Sequence, residues 1–152
     1  MNWKIVLLMG MLMILVVGCG RQDREDIIVE TDTPARDGIF IHVTAGPENP
    51  HRVLMALQMA VLMSGERDVM LYFDIEGVHV LLKDAPDLNF SHFPSSHTQI
   101  GTLLAKGVII AACPGCLKAA GKTADDLMDG VRVADKNDFF GFTDGRILTV
   151  DY

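Results

Sequence analysis

Apolar, β-branched runs at 38–43, 68–73, 108–112 and 146–150 alternate with segments that carry helix signals, and this alternation constrains the fold more than any other feature. Runs of this length and composition predict strands. Between the first two, Asn49 suits an N-cap and Pro50 a first helical turn, which predicts a helix to about Ser64. Ser95 or Ser96 opens a second helix to Lys106, and Gly107 ends it. Shorter helices are expected at 78–83 and 135–142, with a capping box from Thr123 to Asp126 and a short strand at 131–133. Strands joined through helices pair in parallel. The expected fold is one α/β domain over 38–152, with a mostly parallel sheet of about five strands and helices on both faces. The run 38–43 is expected to be buried on both faces.

In such sheets ligands bind beyond the carboxyl ends of the strands. The loops falling there run from Thr44 to His51, from Asp74 to Gly77 and from Cys113 to Cys116. The last is the most telling. Cys113-Pro114-Gly115-Cys116 sits where a strand hands over to a short helix bracketed by Pro114 and Gly121. Unpaired backbone N–H groups there favour a thiolate at Cys113, and Cys116 follows on the same turn. The pair can form a disulfide, share a persulfide or co-ligate a metal; it can also be a resting structural disulfide. Cys113 is expected to be the nucleophile and Cys116 the resolving sulfur. Asp74 is a candidate general base or an orienting group for Cys113, or else a cap for the next helix. Asn49 and His51 are candidates for ligand binding on the same edge, although Asn49 is most simply an N-cap.

The first residues read as an export signal. Lys4 supplies positive charge, an apolar stretch follows from Ile5 to Val17, and Val16-Val17-Gly18-Cys19 closes it. This run resembles a bacterial lipobox, which implies a signal peptide over 1–18 and lipidation of Cys19. Residues 19–37 are polar and charged and read as a tether, interrupted by Ile27-Ile28-Val29. The expected location is the cell envelope, anchored by lipid on the periplasmic face, with the outer membrane favoured in a Gram-negative cell because Gly20 follows the cysteine. The chain of 152 residues carries 13 Lys and Arg against 20 Asp and Glu, a net charge of −7. That acidity excludes a nucleic-acid partner, which needs a basic footprint. No phosphate loop, Ser-His-Asp set or nucleotide fingerprint is present. The helix from Pro50 is apolar almost all round, with Met55, Met59 and Met63 along one side, so a homo-oligomer is expected.

The segments His42-Val43-Thr44-Ala45-Gly46-Pro47, Pro50 to Leu57, Tyr72-Phe73-Asp74, Cys113 to Gly121 and Arg146 to Val150 carry a resemblance. The chain resembles the DsrE/DsrF-like family of sulfur-relay proteins, and more narrowly its secreted lipoprotein-type members with a Cys-Pro-x-Cys motif. The resemblance implies a persulfide on Cys113, handed to or received from a sulfur or thiol partner protein. The expected function is thus a membrane-tethered thiol protein that handles sulfane sulfur or thiol–disulfide exchange. Two other readings stand beside it: a non-catalytic module for a thiophilic metal or small ligand, and an assembly subunit with structural cysteines. No cofactor is expected, but Cys113, Cys116 and His51 could together hold zinc or copper(I). His42 is expected to be a satisfied core histidine.

Overall fold

A computed structural model of the protein describes residues 35–152. The expected export signal, Cys19 and most of the tether lie outside the described residues. Five strands form one sheet: β1 (Gly38–Val43), β2 (Asp68–Phe73), β3 (Ile109–Ala112), β4 (Arg132–Val133) and β5 (Ile147–Asp151). Their order is β4-β3-β2-β1-β5, and every pairing is parallel. The chain therefore steps outward from β1 to β4 and then returns to the other side of β1. That reversal at β1/β5 is the switch point, where loops leaving the carboxyl ends diverge.

Helix α1 (Pro50–Met63) follows β1, and α2 (Ser96–Ala105) precedes β3. Asn49 caps α1, its side chain accepting from the Arg52 N–H at 3.4 Å, and Ser95 caps α2 from the Thr98 N–H at 3.4 Å. Pro50 occupies the first turn of α1, where its missing N–H costs nothing. The two helices pack on each other and on one face of the sheet. Ile39, Ile41, Val43, Leu71, Phe73 and Ile110 point toward them and are fully or nearly fully buried. Val53, Leu54, Ala56, Leu57 and Ala60 of α1 complete this core. Removing one such side chain, as in Leu57→Ala, costs about 2–5 kcal/mol through lost transfer energy and the cavity left.

The other face is covered differently. Side chains alternate across a strand, so Phe40, His42, Met70, Tyr72 and Ala111 face away from α1. Here the expectation that 38–43 is buried on both faces is corrected: Phe40 and His42 are only half-buried. The reason is the length of the covering element. The helix expected at 135–142 is only the four-residue α4 (Asp138–Gly141), because Asp135 opens a turn in which its side chain accepts from the Asn137 N–H at 2.9 Å and its carbonyl from the Asp138 N–H at 3.0 Å. One side chain of α4 covers the aromatic residues of this face. Phe139 packs on Phe40 and Tyr72 with ring centroids 5.7 and 5.1 Å apart, and Phe40 stacks on Tyr72 at 6.1 Å.

The segment after β2 is a 3-10 turn over Ile75–Leu81 rather than a helix at 78–83. Its start is held to the end of β1: Asp74 N–H donates to the Val43 carbonyl at 3.1 Å, and Gly77 N–H to the Thr44 carbonyl at 3.1 Å. A Cβ at Gly77 would fall on the Val43 carbonyl oxygen, so only glycine lets this turn pass so close to β1. After β3 comes α3 (Pro114–Ala119), which packs on the 3-10 turn and buries Leu117.

Candidate functional site at the carboxyl edge of the sheet

The parallel register lines up the components of the site before any loop is considered. Asp151 of β5 lies opposite His42 of β1, His42 opposite Tyr72 of β2, and Tyr72 opposite Ala111 of β3. This row crosses the thinly covered face. Asp74 and Cys113 follow two residues beyond Tyr72 and Ala111, at the carboxyl edge. The Cys113 N–H still bonds to the Phe73 carbonyl at 2.8 Å, which carries the parallel pairing one step past the strand.

Both cysteines are free thiols and partly buried. Cys113 is the N-cap of α3, and its sulfur accepts the Cys116 N–H at 3.4 Å. The Cys116 sulfur accepts a backbone N–H from another element, that of Ile75, at 3.1 Å. Each sulfur thus has its own main-chain donor, one from the α3 turn and one from the loop after β2. Ile75 pays for this in conformation. Its φ is +47°, in the left-handed region that a β-branched residue rarely enters, at a cost of roughly 1–3 kcal/mol.

The surroundings act on the two thiols in opposite directions. Burial raises the Cys113 thiol, but the Tyr72 hydroxyl and the N–H groups of Cys116 and Gly115 outweigh it, so its pKa is lowered from the ordinary thiol value. At Cys116 the Ile75 N–H pulls down, while burial, the neighbouring Cys113 and the Asp74 carboxylate push up, and the net shift is upward. Tyr72 is itself raised, first by burial and then by the adjacent Cys113 sulfur and the Asp74 charge, so its hydroxyl stays a donor.

His42 stacks on Tyr72, with ring centroids 5.8 Å apart and planes at 27°. Its Nδ1 lies 2.9 Å from Asp151 Oδ1 in a hydrogen bond. Its Nε2 is 3.0 Å from Asp74 Oδ1, but off the line a hydrogen bond needs. The second contact is therefore an ion-pair contact, and both atoms are buried with no other polar partner. Burial lowers the His42 pKa, yet the two carboxylates outweigh it and the net shift is upward. His42 is more than the satisfied core histidine expected: it links two strand ends. Asp74 makes no cap bond to the 3-10 turn. Its carboxylate sits against His42 instead, and its charge raises the Cys116 thiol.

The other candidates lie apart. Asn49 spends its side chain on capping α1. His51 stacks on Phe90 at 4.5 Å and lies 5.8 Å from Phe93. Among the described residues no hydrogen bond or ion pair links His51 to either cysteine, and no group of three or more His, Cys, Asp or Glu is gathered to hold a metal ion. His51, Met55, Met59, Leu62, Phe90 and Phe93 instead line an open apolar hollow of about 580 Å³ on the outer side of α1. A second hollow, of about 450 Å³, lies between Met63, Arg67, Arg146 and Leu148 at the amino edge of the sheet. Neither touches the cysteines. The cysteines sit at the carboxyl edge of the sheet, outside both hollows.

No local sequence pattern marks His42, Tyr72 and Asp151 as parts of one site. Residue parity was the available signal. In β1, β2 and β3 the residues two steps apart, Phe40 and His42, Tyr72 and Asp74, Ala111 and Cys113, share one side.

The comparisons agree with this fold. A protein from Methanocaldococcus jannaschii, itself uncharacterized, is 28% identical over 102 residues, covering 66% of this chain and 86% of that protein. The crystal structure of the ychN protein from E. coli superposes with a TM-score of 0.59 at 20% identity, over 75% of this chain and 99% of that one. A protein of unknown function, MTH1491 from Methanobacterium thermoautotrophicum, gives 0.50 at 19% identity, over 76% and 99%. At these identities the structures speak to the fold alone. The DsrE/DsrF-like family model matches residues 37–144, which takes in all of β1 to β4 and the cysteine edge, and the chain belongs to that family.

Proposed function

We propose that this domain is a thiol protein that takes sulfane sulfur onto Cys113 and releases it through Cys116. The observation that carries the reading is the division of the two sulfurs between separate backbone donors, Cys113 on the N–H of its own helical turn and Cys116 on that of Ile75. A lowered thiol pKa makes Cys113 the better nucleophile near neutral pH, and a raised one makes Cys116 the sulfur held back for the second step. Membership of a family associated with sulfur relay supports the same reading. The carboxyl edge suits a partner that presents its own sulfur on a protruding side chain. Thiol–disulfide exchange uses the same pair and ends in the same disulfide, so the two chemistries differ in whether a persulfide is carried.

The domain, on this proposal, works at the end of a lipid anchor on Cys19, in the cell envelope. Cys19→Ser releases the protein from the membrane fraction; retention with the same processed mass would rule the anchor out.

Intact mass spectrometry of the domain incubated with a small-molecule persulfide donor tests the sulfur reading. The expected result is one added sulfur on the parent that is short-lived, none on Cys113→Ser, and a lasting adduct on Cys116→Ser. A disulfide with no added sulfur in any variant assigns the pair to thiol–disulfide exchange. No adduct and no disulfide would overturn both.

A further inference from the structure

Ile75 stands out on grounds independent of the two cysteines. It is one of two non-glycine residues with positive φ among the described residues, and it is β-branched. Its side chain is exposed, so no core packing holds it in that conformation. The backbone on both sides does. Asp74 is tied to Val43, and Gly77 to Thr44 and to the Asp74 carbonyl at 2.7 Å, so the single residue between Asp74 and Glu76 absorbs the turn. The visible product of that geometry is one bond: the Ile75 N–H on the Cys116 sulfur at 3.1 Å. In an extended conformation the same N–H would point elsewhere.

Resting on the sulfur-carrier reading, we propose that Ile75 is a positioning residue for the discharge step, its backbone N–H holding the Cys116 sulfur and bearing the charge that forms on it. The step is as follows. Cys113 carries a persulfide, and Cys116 loses its proton to water. The Cys116 thiolate attacks Cys113 Sγ. The Sγ–Sγ bond forms as the bond from Cys113 Sγ to the outer sulfur breaks, and the outer sulfur leaves with the electron pair as hydrosulfide. It takes up a proton in place of the one Cys116 gave, so hydrogen sulfide is the net product. The outer sulfur is reduced by two electrons and the two cysteine sulfurs are oxidised to a disulfide. An external dithiol restores the pair. The N–H acts only while charge sits on Cys116, before the new bond is complete, and so it favours discharge without affecting loading at Cys113.

The test replaces the amide at residue 75 by an ester, using the α-hydroxy analogue of isoleucine, so that the side chain stays and only the N–H is lost. Ile75→Pro removes the N–H together with the positive φ, which proline cannot adopt, and Ile75→Gly keeps the N–H while admitting the positive φ. With a cysteine persulfide as donor, the ester protein is expected to load Cys113 as the parent does and to release hydrogen sulfide about tenfold more slowly. In a Cys113→Ser background, alkylation of Cys116 by iodoacetamide is expected to move to higher pH in the ester and Pro forms and to return toward the parent in the Gly form. Parental discharge with an unmoved Cys116 profile would overturn the proposal. A parent that never loads sulfur would sink the carrier reading instead, and the Cys116 profile would still decide whether the Ile75 N–H supports charge on that sulfur.

Discussion

Tyr72→Phe isolates one hydroxyl in the candidate site. The ring remains, so its packing on Phe40 at 6.1 Å and on Phe139 at 5.1 Å is kept, and the fold should lose little stability. What is lost is the hydroxyl beside Cys113, the first of the groups that offset burial there and lower its thiol pKa. Hydrogen bonds to charged groups contribute about 1.5–3 kcal/mol. Cys113 is only partly buried, so water replaces some of the lost bond and the low end applies. About 1.4 kcal/mol is a factor of ten in the thiolate equilibrium. Alkylation of Cys113 by iodoacetamide, followed by mass spectrometry of the Cys116→Ser protein, is therefore expected to be about tenfold slower in Tyr72→Phe near neutral pH. The two rates should converge at high pH, where both thiols are fully ionised. Equal rates near neutrality would refute the role given to Tyr72. A deficit that persists at high pH would show altered access to the sulfur and not altered ionisation.

Two further perturbations probe the rest of the structure. His42 has a folded-state pKa raised by Asp74 and Asp151, so its contribution to stability is present in full below the unfolded value of about 6.5 and is lost as pH rises through the folded value. Urea unfolding of His42→Leu against the parent should show a gap of about 1–2 kcal/mol at pH 6, less than a fully buried pair because Asp151 is exposed, and the gap should shrink toward pH 8; a gap that widens over that range would contradict the ion-pair geometry. On α1, Leu62 is 66% exposed and Met55 38% exposed, beside Phe90 and Phe93. If this side joins copies of the chain, Leu62→Glu should dissociate them in sedimentation while changing monomer stability by no more than about 0.5 kcal/mol. A parent that is already monomeric at micromolar concentration would refute the assembly.

Local rules carried most of the fold. Asn49-Pro50 and Ser95 mark helix starts because a side-chain oxygen and a missing N–H act within one turn, and both caps form where the composition places them. The run 68–73 is a strand with those bounds, and the alternation of strands and helices led directly to a parallel sheet. The handover from β3 to Cys113-Pro114-Gly115-Cys116 was legible for the same reason. The helix expected at 135–142 is cut to four residues because 135–138 closes as a turn, the Asp135 side chain accepting from the Asn137 N–H at 2.9 Å and its carbonyl from the Asp138 N–H at 3.0 Å.

What the sequence by itself determined is the class of fold, the helix ends and the cysteine pair, since each depends on residues close along the chain. Strand order and register were decided by the tertiary structure, and with them the neighbours of those cysteines. Asp151 stands 109 residues from His42, and Ile75 stands 41 from Cys116. No periodicity reports such distances. They follow from β5 returning to the far side of β1 and from the turn after β2 being tied down on the end of β1, because the face away from α1 is only partly covered, with Phe40 and His42 half-buried at its β1 side.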